Sequence, residues 1–245
     1  MRGSTTSAFF VPLGAEGERR KLANGLRMSS MSQQLPLVYL ARHGDTAWTV
    51  LGRHTGLIDL PLTERGEQNA RRLGERLKGL TFVRVFTSPL QRASRTCELA
   101  GFGMVASVDA DLVEWSYGDY DGKTISEIRD QRPGWELFRD GCPGGESLAD
   151  VAVRADQVVS RLRAIDGYVL LFSSRHFLRV LTARWLGLDP GAGRYLFLDT
   201  AALCIVGYEH GKHDPVIRLW NDCPHDPSHE RRNIGPTECG VQEVS

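Results

Sequence analysis

The stretch LLFSSRHFLRVLTARWLG, residues 170–187, decides the fold. A run of apolar residues ends in Ser173, Ser174, Arg175 and His176, and an equally apolar segment of helical spacing follows at once. The first part reads as a buried strand, YVLLFS, and the second as a helix apolar on most faces and hence buried. Strand, sharp turn and helix start is the unit of an α/β protein, and ligands in such proteins gather just beyond strand C-termini. A serine, an arginine and a histidine at that point call for a chemical explanation.

The same unit recurs upstream. LPLVYLAR (35–42) is a short buried strand that runs into His43 and Gly44. Thr63 caps a predicted helix with Ala70, Leu73, Leu77 and Leu80 on one face, ended near Gly79. VRVFTS (83–88) is the next strand. Ser88, Pro89 and Gln91 then predict a helix start with Ser88 as N-cap and Pro89 at the first position, a helix that runs to about Leu99. MVASVDADL (104–112) reads as a strand leading into the aromatic, glycine-bearing loop VEWSYGDYDGKT. Thr124 with Glu127 is a capping box for a short helix that ends before Pro133. Ser147 caps a long amphipathic helix through Val151, Ala155, Val158 and Leu162. AALCIVGYEH and PVIRLW close the chain as two strands, a hairpin or edge pair. Strands alternating with helices predict one mostly parallel central sheet covered on both faces, a three-layer α/β/α sandwich over residues 35–222.

The bulk numbers narrow the partners. Among 245 residues, Lys+Arg and Asp+Glu are both 30, so the formal net charge is zero. Nothing in that balance points to nucleic acid or a membrane surface as partner, and any anion site must be a local cluster. No apolar run approaches the roughly 20 residues of a membrane span. The five cysteines, Cys97, Cys142, Cys204, Cys223 and Cys239, include no C-x-x-C pair, which argues against zinc and for reduced thiols in a cytoplasmic protein. Residues 1–34 lack sustained periodicity and read as a flexible N-terminal extension, with a start codon placed too far upstream (Met28 or Met31 being the true start) and a transit peptide as the alternatives, and residues 223–245 read as a loose tail.

Arg42, His43, Arg92, Glu114 and the 173–176 cluster all fall on one predicted rim, at or just beyond strand ends. Arginine offers a planar, permanently charged fork to phosphate oxygens, and a helix opening at Pro89 would add its positive end. A histidine can attack phosphorus, and a carboxylic acid can protonate the leaving oxygen. Each element alone is weak, because a lone histidine after a strand is more often structural; the convergence points to a phosphate ester.

Taken in order, ARHGDT (41–46), GRHTGLIDLPLTERGE (52–67), FTSPLQRASRT (86–96) and LVEWSYGDYDG (112–122) resemble the histidine phosphatase superfamily. That superfamily is phosphoglycerate-mutase-like, and the likeness covers roughly residues 36–220. VEWSYGDYDG with WELFRDGC further resembles the sedoheptulose-bisphosphatase-like subgroup, which acts on sugar phosphates. The resemblance implies His43 as the phosphorylated nucleophile, Glu114 as the proton donor, and Arg42 and Arg92 as holders of the phosphoryl group. It implies a small phosphorylated metabolite as partner, no cofactor and no metal. Arg53, Thr55 and Gly56, with Tyr117 in the Trp115–Tyr120 loop, are the candidates for binding the rest of the substrate.

The sequence departs from the resemblance at one place. The superfamily's second histidine stands in a pattern like His-Gly-x-x-x-Arg, five residues before an arginine. With Arg179 as that arginine, the histidine position holds Ser174 and the glycine position Arg175, and only His176 remains of His-Gly-His. Serine donates a neutral hydrogen bond where a histidine would bring charge. Arg175 and His176 are the candidates to compensate, against the plain alternative that His176 only packs at the helix start. A glycine position after a strand often has a backbone conformation that arginine disfavours. Three readings follow: a phosphatase with an altered clamp, a phosphate-binding pseudoenzyme, and a mutase. The stretch between Glu114 and Gly144 is shorter than the mutase insertion, which favours hydrolysis.

Overall fold

A computed structural model describes residues 35–223. The expected extension at residues 1–34, the tail beyond Cys223 and Cys239 lie outside the described residues. Six strands form one sheet: β1 (Leu37–Arg42), β2 (Arg84–Thr87), β3 (Ala106–Val108), β4 (Tyr168–Ser173), β5 (Leu203–Tyr208) and β6 (Pro215–Asp222). Their order is β3-β2-β4-β1-β5-β6. The first four run parallel, and β5 and β6 close one edge as an antiparallel hairpin. Seven helices accompany them: α1 (Ala47–Val50), α2 (Glu64–Leu77), α3 (Gln91–Leu99), α4 (Ile125–Gln131), α5 (Leu137–Asp140), α6 (Leu148–Arg163) and α7 (Arg175–Trp185).

The period-2 alternation of the central strands divides the core in two. Tyr39 and Ala41 of β1, with Leu170 and Phe172 of β4, pack against Leu73 and Leu77 of α2 and Cys97 of α3. Val38 and Leu40, with Val169 and Leu171, face Val151, Val158 and Leu162 of α6 and Phe177 and Leu181 of α7. Both faces of β1 and β4 are therefore buried, which is why these strands are continuously apolar. This is the three-layer α/β/α arrangement the sequence predicts. No helix among the described residues is long and apolar enough to cross a membrane.

The capping signals hold at three helices. Thr63 accepts from the Gly66 amide at α2, and full capping boxes form at Thr124/Glu127 of α4 and at Ser147/Asp150 of α6. They fail at α3. That helix starts at Gln91, not Pro89, and the Leu90 cap position makes no side-chain bond. Its Gln91 amide donates to Asp59 Oδ1 at 2.7 Å, so the cap arrives from a loop 32 residues away. Ser88 Oγ accepts only from the Leu90 amide, at 3.3 Å. The strand expected over 104–112 shrinks to β3. Asp109 accepts from the Asp111 amide and turns the chain into a short 3-10 segment, Ala110–Leu112. Among the described residues Cys97, Cys142, Cys204 and Cys223 are free thiols.

Candidate active site

The C-terminal ends of β1 and β4 lie side by side, with Arg42 opposite Ser173, and the His43 amide donates to Ser173 O at 3.0 Å. A cavity of about 580 Å³ opens above them. Arg42, His43, Arg53, Thr55, Arg92, Glu114, Tyr117, Arg175 and His176 all line it, so nine of the eleven candidate residues meet there. Ser174 and Gly56 do not line it.

His43 is buried, and its Nδ1 donates to the Gly44 carbonyl at 2.7 Å. A carbonyl can only accept, so Nδ1 carries the proton and Nε2 keeps its lone pair. Burial first, then Arg92 and Arg42, push the His43 pKa well below the usual histidine range, which keeps the ring neutral. Gly44 is fixed in turn: its amide donates to Thr96 Oγ1 at 3.0 Å, and that hydroxyl donates to Arg92 O at 2.7 Å.

The two arginines are held by backbone carbonyls. Arg42 Nη1 donates to Leu198 O at 2.7 Å. Arg92 Nη1 and Nη2 donate to Ile58 O at 2.8 Å and Gly56 O at 2.7 Å. Gly56 thus serves the site from behind, at φ +52°, where a side chain is disfavoured. Each arginine leaves its buried Nε without a partner. Burial lowers the Arg42 pKa to about 9, below any ordinary guanidinium though still charged near neutrality.

Glu114 reaches the start of α7. Its Oε1 accepts from the amides of Trp115 at 3.0 Å, His176 at 3.1 Å and Phe177 at 2.9 Å, while Oε2 shares only the His176 amide, at 3.2 Å. The helix end at this rim is therefore that of α7, and it serves a carboxyl group; the expected α3 terminus has its first amide on Asp59. Arg154 of α6 fixes the Glu114 loop by donating to Asp111 O and Val113 O, both at 2.8 Å.

At the point of departure, Ser174 occupies the cap position of α7 without a side-chain cap bond, and its Oγ is buried and unpartnered. Arg175 is the first helical residue, and its backbone does not share the left-handed conformation, found outside glycine only at Ala201 and Asn221 among the described residues. The strain expected of an arginine at a glycine position is absent. The His176 ring is packed and also cavity-lining, with Nδ1 2.5 Å from Tyr117 OH and edges against Tyr117 and Phe138. In the Trp115–Tyr120 loop only Tyr117 reaches the cavity; Trp115 is core, its indole N–H donating to Glu146 O. Arg53 pairs with Glu127 at 3.1 Å.

Sequence reasoning missed the upper wall. His54, Trp135, Phe138, Arg129, Arg194 and Tyr195 all line the cavity. His54 stacks on His176 at 6.4 Å and 9°, and burial lowers both imidazole pKa values. His54 had a signal in the quoted GRHTG, and Trp135 and Phe138 in the quoted WELFRDGC; Arg129, Arg194 and Tyr195 had none. No cluster of three or more His, Cys, Asp or Glu side chains suited to a metal occurs among the described residues.

Fold and site together define an α/β protein with a cation-rich, histidine-bearing cavity at the carboxyl edge of its sheet. The chain belongs to the histidine phosphatase superfamily (branch 1), whose family model matches residues 38–223. It is similar to an acid phosphatase of Mycobacterium tuberculosis, 41% identical over 176 residues, 70% of this chain and 86% of that protein. It is also similar to sedoheptulose 1,7-bisphosphatase of Saccharomyces cerevisiae, 34% identical over 196 residues, 64% of this chain and 70% of that protein. Among solved structures, a mycobacterial glucosyl-3-phosphoglycerate phosphatase superposes with a TM-score of 0.68 at 28% identity, over 76% of this chain and 98% of that one.

Proposed function

We propose that the protein is a phosphomonoesterase that hydrolyses a phosphate ester of a small metabolite, a sugar phosphate, through a phosphohistidine on His43. One observation carries the reading: a buried, neutral imidazole with Nδ1 committed to Gly44 lies beside two guanidiniums whose Nε donors have no partner in the protein. The two guanidinium charges neutralise a phosphoryl group that meets the Nε2 lone pair.

In this scheme Nε2 of His43 attacks phosphorus, the N–P bond forms and the P–O ester bond breaks. Arg42 and Arg92 neutralise the phosphoryl oxygens. Glu114 gives a proton to the leaving oxygen through Oε2, the oxygen less engaged by backbone amides. It then takes a proton from the water that attacks phosphohistidine, releasing phosphate and restoring neutral His43. The arginines supply the positive charge, so the scheme calls for no metal. Ser174 contributes at most a neutral donor, and one preorganised donor is worth roughly 10²–10³ in rate.

Two of the similar proteins named above are, by name, phosphatases of sugar-derived phosphates. The cavity suits such a substrate, because Tyr117, Trp135 and Phe138 offer aromatic surface to C–H faces and the arginines address hydroxyl or anionic edges. A steady-state assay on a panel of phosphate esters, with His43→Ala as control, tests the proposal. Turnover of a sugar phosphate that His43→Ala abolishes supports it. Specific binding of phosphate esters without His43-dependent turnover would favour the pseudoenzyme reading.

A further inference from the structure

We propose that Asn221, on the outer strand of the edge hairpin, is a positioning residue for the reaction: through Asp199 it holds residues 198–202 against Arg42 and His43. The inference rests on the phosphatase reading for what Arg42 and His43 do. It adds a residue that does not line the cavity.

Five consecutive residues, 198–202, make four bonds to the end of β1 and the turn that carries the nucleophile. Leu198 O accepts from Arg42 Nη1 at 2.7 Å, and Ala202 O accepts from the Arg42 amide at 3.1 Å. The Ala201 amide donates to His43 O at 3.0 Å, and Thr200 Oγ1 donates to Asp45 Oδ1 at 2.7 Å. Main chain and guanidinium of Arg42 are therefore both set by this segment, and His43 is tied to it through its carbonyl.

The segment does not owe its shape to regular structure, since it lies between a 3-10 turn (Pro190–Tyr195) and β5. Ala201 sits there at φ +55°, a conformation that costs a side-chain-bearing residue and persists only when its surroundings fix it. β6 supplies those surroundings. Asn221 Oδ1 accepts the Asp199 amide at 2.7 Å, and Asn221 Nδ2 donates to Asp199 Oδ2 at 3.1 Å. One carboxamide thus uses both its ends on one residue. The neighbouring Trp220 indole N–H donates to Phe197 O at 2.5 Å. Burial lowers the Arg42 pKa, and the Asp199 carboxylate is one of the groups that oppose the shift, so what orients Asp199 also bears on the charge of Arg42.

The hairpin is built to aim this side chain. Leu203 faces Asp222 and Ile205 faces Leu219, so β6 takes three steps where β5 takes two. Asn221 lies in that bulge at φ +55°, with its amide donating to Cys204 Sγ at 3.2 Å. A bulge re-aims a side chain, and asparagine tolerates the left-handed backbone while carrying both an acceptor and a donor. The next residue is fixed from α2, where Arg76 Nη1 donates to Asp222 O at 2.8 Å.

Asn221→Gly is the test, because it keeps the left-handed backbone and deletes the carboxamide. Ile217→Ala is the control; it trims the same strand opposite Val206. Three readouts are taken: kcat and KM on the best ester, calorimetric affinity for inorganic phosphate, and the nitrogen NMR signals of the His43 ring, assigned with His43→Ala. Asn221→Gly should lower kcat by roughly 10-fold with a smaller change in KM, weaken phosphate about 3-fold or more, and shift the His43 signals. Ile217→Ala should change kcat and phosphate affinity by less than about 2-fold, whatever it costs in thermal stability. Asn221→Asp keeps the acceptor but loses the donor and sets a second carboxylate against Asp199; it should show the glycine signature and serves if the glycine variant does not fold. Wild-type values in both Asn221 variants overturn the proposal. So do equal kinetic losses in Ile217→Ala, which would mean general loosening of the hairpin. If no ester is turned over in a His43-dependent way, the phosphatase reading fails, and the His43 signals still decide whether Asn221 positions that residue.

Discussion

Thr96→Val removes one oxygen atom and tests how the nucleophile is held. Thr96 lies on α3, fully buried, and joins two parts of the site. Its hydroxyl donates to Arg92 O at 2.7 Å and accepts the Gly44 amide at 3.0 Å, and the Gly44 carbonyl accepts the His43 Nδ1 proton at 2.7 Å. Valine keeps the shape and loses the acceptor. The buried Gly44 N–H then has no partner, at a cost of about 1–3 kcal/mol. For a protein of this size that lowers Tm by roughly 2–4 °C per kcal/mol. Displacement of the His43–Gly44 turn should also reduce kcat, because small misplacements of reacting groups are costly in rate. Thermal and urea unfolding measure the first effect, and steady-state kinetics on the best ester the second. Thr96→Ser retains the hydroxyl and should recover most of both. A valine variant as stable and as active as the wild type would refute the account of the turn.

Three further outcomes follow from the geometry. Gly56→Ala places a Cβ 2.1 Å from Asp121 Oδ1 at a φ of +52°, and should destabilise by roughly 1–2 kcal/mol while loosening Arg92, read as a lower urea midpoint with a fall in kcat/KM. Burial raises the Asp121 pKa to about 6 from the unfolded 3.8, so the native protein holds an extra proton between those values and loses that advantage as pH rises through 6. Asp121→Asn should accordingly raise Tm relative to wild type near pH 8 and make no difference near pH 4. His43, His54 and His176 are all depressed by burial, so the unfolded chain binds more protons than the native one below about 6.5. Stability should fall as pH falls through that range, by up to about 1.4 kcal/mol per pH unit for each histidine, with Asp121 offsetting one. A curve that is flat from pH 7 to 5 would contradict the neutral imidazoles.

The parts legible in the sequence were those fixed by neighbours along the chain. The apolar runs of β1 and β4 are continuous because both faces are buried, and the Thr63, Thr124 and Ser147 caps bond within their own first turns. His43 and Arg42 could be placed because they end a strand of that kind. The Ser88 cap failed because Asp59 reached Gln91 from a distant loop, which local pattern cannot report. The upper cavity wall was hidden for the same reason. Trp135, Phe138 and Arg194 come from loops and short helices with no period to read, and only the folded chain sets Trp135 against His54, Phe138 against His176 and Arg194 into the cavity. Ser174 is legible in the sequence as a departure, whereas the burial of its unpartnered Oγ is a property of the folded chain.

The central claim is that His43 takes the phosphoryl group. Rapid mixing with the best ester, an alkaline quench that preserves phosphohistidine, and peptide mass spectrometry test it most directly. The account predicts a transient phosphoryl adduct on the peptide that contains His43, formed within one turnover and absent in His43→Ala. An adduct on another residue, or turnover that survives His43→Ala, would contradict it.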